Sequence, residues 1–236
     1  MNKFLSVKNL TNDSADIYFY GDIVSSEWGK WEDSDTAPED VREQLKQVEG
    51  VQNLNIYINS GGGSVFAGLA IYNMLKRHQA HKKVYVDGMA ASIASVIAMA
   101  GDEINVPSNA FLMIHKPWAM SIGNANNLRK LADDLDSIES GLLNVYEENL
   151  AEGVDIETVK QMVNAETWLN GKEAAEIFNI NVAPANTVAA SASEYLKKYN
   201  KVPVSLPVES QTAAHSEAEP DKSKEIENLL LELDLI

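Results

Sequence analysis

A chain of 236 residues with 45% hydrophobic and 23% charged side chains has the composition of a soluble globular protein, long enough for one large domain or two small ones. It contains no cysteine and carries 35 acidic against 19 basic residues, a formal net charge of −16. This excludes disulfides, thiolate metal sites and cysteine nucleophiles, fits a reducing cytoplasm, and makes nucleic acid an unfavourable partner.

No apolar run reaches the roughly 20 residues of a membrane helix, and the opening stretch turns polar before a signal core forms. The expected location is therefore the cytoplasm. Ile17, Tyr18, Phe19 and Tyr20 read as a strand ending at Gly21-Asp22, followed by an acidic loop through Trp28 and Trp31. Thr36-Ala37-Pro38-Glu39 has capping-box spacing, and Val41, Leu45 and Val48 follow at helical intervals until Gly50. Leu54 to Ile58 form a second strand that runs into the glycine loop Asn59-Ser60-Gly61-Gly62-Gly63-Ser64. The next helix is expected to place Phe66, Ala70 and Met74 on one side, with Ile71 and Leu75 beside them.

Val84 to Val86 are a third strand, and Gly88-Met89-Ala90-Ala91 leads into a helix over 92–100. Short strands are expected around Ile104 and over 111–114. Strands alternating with helices predict a layered α/β fold. Over 125–150, Leu128, Leu131, Leu135, Ile138, Leu142 and Val145 recur at steps of three and four. That spacing predicts a long amphipathic helix with a narrow apolar seam, suited equally to its own core or to a neighbouring subunit. Short helices are expected over 156–163, 171–178 and 191–199, with Asn170 and Glu173 at capping spacing. The domain reading is 1–200, then a Pro/Ser/Glu-rich linker over 201–224 and a short amphipathic tail over 225–236.

Amide hydrolysis needs an activated nucleophile, a base, and fixed donors for the oxyanion. Ser92 stands where a strand hands over to an apolar helix, behind small residues that leave its side chain uncrowded; on spacing alone a simple helix N-cap is the favoured reading. Three consecutive glycines after a strand allow a sharp turn and close approach of another chain, and they match neither a Walker loop nor the dinucleotide fingerprint. His115 ends an apolar strand and is placed to project into a cleft. No histidine pair has metal-ligand spacing, so no metal is expected.

These segments resemble the proteolytic subunit of the Clp proteases, within the Clp/crotonase-like fold of repeated β-β-α units with a long protruding handle helix. Tyr57-Ile58-Asn59-Ser60-Gly61-Gly62-Gly63-Ser64, Gly88-Met89-Ala90-Ala91-Ser92, Met113-Ile114-His115-Lys116-Pro117 and the stretch from Glu166 to Ala174 carry the resemblance in order. It implies a serine endopeptidase with Ser92 as nucleophile and His115 as general base. It implies an oxyanion hole from the backbone N–H groups of Gly63 and Ile93, and substrate binding at Gly61 and Gly62. At the third triad position the family has Asp and this chain has Glu166, with Asn164 and Glu173 as alternatives; triads with Glu occur on other folds.

The resemblance further implies a homo-oligomeric ring, stacked through residues 125–150, acting on unfolded or co-assembled protein chains without a cofactor. The chain has no ATPase motif, so ATP use would belong to a separate unfoldase. The wording of residues 71–78 and 94–102, with the Trp28–Trp31 insert, is similar to phage-encoded relatives that mature proheads by cutting scaffold and capsid proteins. That implies the host cytoplasm or prohead as the location. A crotonase-like acyl-CoA enzyme and a catalytically silent assembly protein are the alternatives on this fold.

Overall fold

The computed structural model describes residues 8–11, 13–185 and 199–203. The linker beyond 203, the tail over 225–236, and all but the last residue of the helix expected over 191–199 lie outside the described residues. A seven-stranded sheet forms the centre. Strands β1 (Ser14–Tyr20), β2 (Asn53–Ser60) and β3 (His81–Ala91) lie parallel, flanked by β4 (Glu103–Pro107) and β7 (Asn181–Ala183).

Parallel neighbours need crossovers, which α1 (Pro38–Gln47), α2 (Val65–Arg77) and the short α3 (Ile93–Ala98) help to supply. Period-two alternation decides the faces. Ile17, Phe19, Leu54, Ile56, Ile58, Val84 and Val86 turn into the core. Tyr18, Tyr57 and Tyr85 share one register across the other face, stacked with ring centroids 4.6 and 5.2 Å apart.

The feature that positions the site is the branching of β3. Its first half pairs with β4 at residues 83–85, and its end pairs with β5 (Phe111–Ile114) at residues 89–91. β5 in turn pairs antiparallel with β6 (Thr167–Asn170). Gly88 to Ala91, expected as the lead into a helix, are thus strand. Small side chains here carry little strand propensity, yet Met89, Ala90 and Ala91 are fully buried against β5.

The long helix α4 (Ala125–Glu147) divides along its length. Leu142, Val145 and Tyr146 enter the core, whereas Leu128 is 46% exposed, so only its C-terminal end lies on its own domain. α5 (Ile156–Ala165) and α6 (Gly171–Ile177) complete the layer, and Asn170 and Glu173 cap α6 reciprocally. Two local expectations are corrected. α1 is capped from Ala37, whose N–H donates to Asp40 rather than to a Thr36–Glu39 box, because Pro38 takes the first helical position. On α2 the buried stripe is Ala67, Gly68, Ile71, Tyr72 and Leu75, with Phe66 70% exposed. Among the described residues no helix is long and apolar enough to cross a membrane.

Candidate active site

β3 ends with Ala91 paired to Met113 of β5, and the Ser92 N–H donates to the Met113 carbonyl at 2.8 Å. That register puts Ser92 level with Ile114, one residue short of His115, and so brings Ser92 and His115 to neighbouring strand ends. Ser92 turns there with φ 56 and ψ −126, a conformation that L side chains rarely adopt and that costs about 1–3 kcal/mol. Its side chain makes no helix cap; Oγ lies 2.7 Å from Nε2 of His115 instead.

The strained turn is held from behind. The Ser92 carbonyl accepts from both the N–H and the Oγ of Ser95, at 3.0 and 2.6 Å. The single Ser95 proton is thereby used, so the Tyr146 hydroxyl 2.8 Å away must donate to Ser95 Oγ. Burial pushes the Tyr146 hydroxyl up to about 12, keeping it a donor. This chain links the core end of α4 to the Ser92 backbone. Ser95→Ala removes it and leaves a buried tyrosine hydroxyl unpaired, with an expected loss of about 1–3 kcal/mol in chemical denaturation. Tyr146→Phe, which removes the stranded group itself, should cost less.

The glycine loop lies directly over this turn. A Cβ on Gly62 would sit 2.7 Å from the Ala91 carbonyl oxygen and 2.8 Å from Ser92 Cβ. On the far side, Ile23 donates to the Gly62 carbonyl and accepts from the Ser64 N–H, each at 2.7 Å. That bridge passes over the intervening Gly63, whose N–H is left outside it, and Gly63 lines the pocket that holds Ser92. Ile93 opens α3, and a first-turn N–H has no intrahelical acceptor. Gly63, Ser64, Ser92, His115, Trp118 and Tyr199 line a cleft of about 230 Å³.

His115 is partly buried at the end of β5. Burial pushes its imidazole below the ordinary histidine range, opposed by the nearby charge of Glu166. Glu166 sits at the left-handed C-cap of α5, φ 52 and ψ 87. Its carboxylate accepts from the Asn200 N–H at 2.6 Å, Asn200 Nδ2 at 3.1 Å and the Lys201 N–H at 2.7 Å. Among the described residues no hydrogen bond joins it to His115, so it reaches the imidazole as a charge. Of the two alternatives, Glu173 is engaged in the α6 cap and Asn164 is exposed on α5. Gly61 offers its carbonyl to the Tyr199 hydroxyl at 2.6 Å. Tyr199 had no motif to mark it in the sequence, where it read as the end of a helix.

The sequence profile described as Clp protease matches residues 33–178. An ATP-dependent Clp protease proteolytic subunit of Bacteroides fragilis is 30% identical over 134 residues, 56% of this chain and 64% of that protein. The subunit of that name from Ligilactobacillus salivarius is 32% identical over 135 residues, 56% of this chain and 67% of that one. One from Salinibacter ruber, subunit 1, is 29% identical over 135 residues, 56% and 57% respectively. The matched stretch thus spans less than two thirds of the Bacteroides relative's own length. With a profile match over more than half of its residues, the chain belongs to the Clp protease family.

Proposed function

We propose that the chain is a serine endopeptidase of the Clp proteolytic-subunit type, hydrolysing peptide bonds in unfolded or co-assembled proteins. The observation that carries this reading is the 2.7 Å contact between Ser92 Oγ and His115 Nε2 beneath the glycine loop. Nε2 must be unprotonated to accept, which leaves the ring proton on Nδ1. The hydroxyl oxygen bonds to the substrate carbonyl carbon as its proton passes to Nε2. The oxyanion accepts from Gly63 and Ile93 N–H groups, and the imidazolium gives its proton to the leaving amine. Water, deprotonated by the same nitrogen, then releases the acyl group from Ser92. Glu166 stabilises the imidazolium through space, as a fixed charge rather than a bonded partner.

The exposed N-terminal part of α4, with Leu128 half-open to solvent, supports assembly into rings that pair through residues 125–150. Enclosure of the sites would spare folded proteins. In the phage-type reading the substrates are co-packaged scaffold and capsid chains. Portal and capsid genes beside its own would support that role, and an adjoining unfoldase gene would count against it.

Native mass spectrometry after treatment with a fluorophosphonate tests the proposal in one experiment. The expected result is an oligomer bearing one adduct per chain, mapped to Ser92; a monomer without adduct sinks it. The labelling rate should fall with acid. The base works only when neutral, and burial depresses its pKa, so the rate is full above that value and lost below it. The limb should lie under the ordinary histidine value of about 6.5.

A further inference from the structure

One wall of the cleft comes from outside the stretch that matches the family. That match ends at residue 178, yet Tyr199 is 8% exposed and packs in a cluster with Met89, Ala91 and Met113, beside Trp168. Its hydroxyl donates to the Gly61 carbonyl at 2.6 Å. Its ring meets the His115 imidazole edge-on, centroids 5.1 Å apart and planes at 72°. The two residues that follow hold the Glu166 carboxylate through three hydrogen bonds.

Both neighbours need such a support. Three glycines in a row have little conformational preference of their own, and the loop must nevertheless keep the Gly63 N–H aimed at the reacting carbonyl. Ser60 and Ile23 fix its two ends, through the Gly62 N–H on Ser60 Oγ and the bridge to Ile23. The Gly61 carbonyl is fixed by Tyr199. The imidazole is held by one hydrogen bond, to Ser92; among the described residues none reaches its other nitrogen. Its orientation therefore depends on packing.

We propose that Tyr199 is a positioning residue of the hydrolytic site, bracing His115 on one side and the glycine loop on the other. This rests on the peptidase reading above. The hydroxyl and the ring have separable tasks: the first holds the oxyanion loop, the second orients the base and keeps water from it. Among the described residues Ser92, Glu166 and Tyr199 act on the imidazole, while Lys116 is paired away with Glu139 at 2.8 Å.

The experiment uses the full chain, with fluorophosphonate labelling of Ser92 and hydrolysis of an unfolded peptide followed across the range in which histidine titrates. Tyr199→Phe keeps the ring and should slow both by about threefold to tenfold without moving the acid limb. Tyr199→Ala should slow them about a hundredfold and move the limb to higher pH, because water reaching the imidazole relieves the burial that lowers it. A residue that only stabilised the fold would leave the limb in place. Wild-type rates with an unmoved limb in both variants would overturn the proposal, as would faster labelling, which would make the segment an inhibitory cover. If Tyr199→Ala fails to fold, the rate of Tyr199→Phe decides. A wild-type chain that takes no label removes the peptidase reading and this proposal together, an outcome distinct from the others.

Discussion

Ser92→Ala should lower peptide hydrolysis by about four orders of magnitude or more while leaving the thermal transition nearly unchanged. Among the described residues, the oxygen removed is the one hydroxyl in the cleft with a hydrogen bond to His115, at 2.7 Å. Its loss touches no buried network, since the backbone groups of residue 92 hold the turn through Met113 and Ser95. Alanine keeps the strain of φ 56. Ser92→Gly should be equally inactive and melt somewhat higher, because glycine occupies that region without the steric cost. Peptide turnover and calorimetry on the pair separate chemistry from stability. Retained hydrolysis in either variant would remove Ser92 as nucleophile and reopen the acyl-CoA alternative, which needs the oxyanion donors but not the serine.

The Ser92–His115 pair was legible in the sequence because each residue closes a local pattern. Ser92 ends a run of small residues before an apolar helix, and His115 ends an apolar strand. Their meeting needs the register of Ala91 opposite Met113, which brings the two strand ends together, and the turn of Ser92 at φ 56. The glycine loop beside them was legible too, but the contacts that hold the surroundings in place were not. Tyr199 and Gly61 are 138 positions apart, and Glu166 and Asn200 are 34 apart, with no periodicity joining either pair. The misread α2 face has a similar origin: Phe66, Ala70 and Met74 satisfy helical spacing as well as Ala67, Ile71 and Leu75 do, and only the sheet beneath decides between them. The apolar seam of α4 was ambiguous for a physical reason, since its two ends face different surroundings.

The glycine loop shows where composition stops and geometry begins, and it carries the second large effect. Gly63→Ala should reduce kcat by about a hundredfold to a thousandfold and cost roughly 2–4 kcal/mol of stability. At φ +143 an added Cβ would stand 2.0 Å from the Ile23 carbonyl oxygen and 2.9 Å from its carbon. Those are backbone atoms, which cannot rotate aside as a side chain would. Relief requires separating residue 63 from Ile23, and that breaks the two 2.7 Å bonds joining Ile23 to Gly62 and Ser64. The N–H proposed for the oxyanion moves with them, so activity and stability should fall through one displacement. Gly50 provides the contrast, because a Cβ there would meet nothing within 4 Å and no unusual φ is required. Gly50→Ala should leave kcat untouched and stabilise by about 0.4–1 kcal/mol through the unfolded chain. Steady-state kinetics and urea denaturation on the two variants give the comparison. Full activity in Gly63→Ala would show that its N–H takes no part in the reaction, and the oxyanion would then have to be held from Ile93 alone.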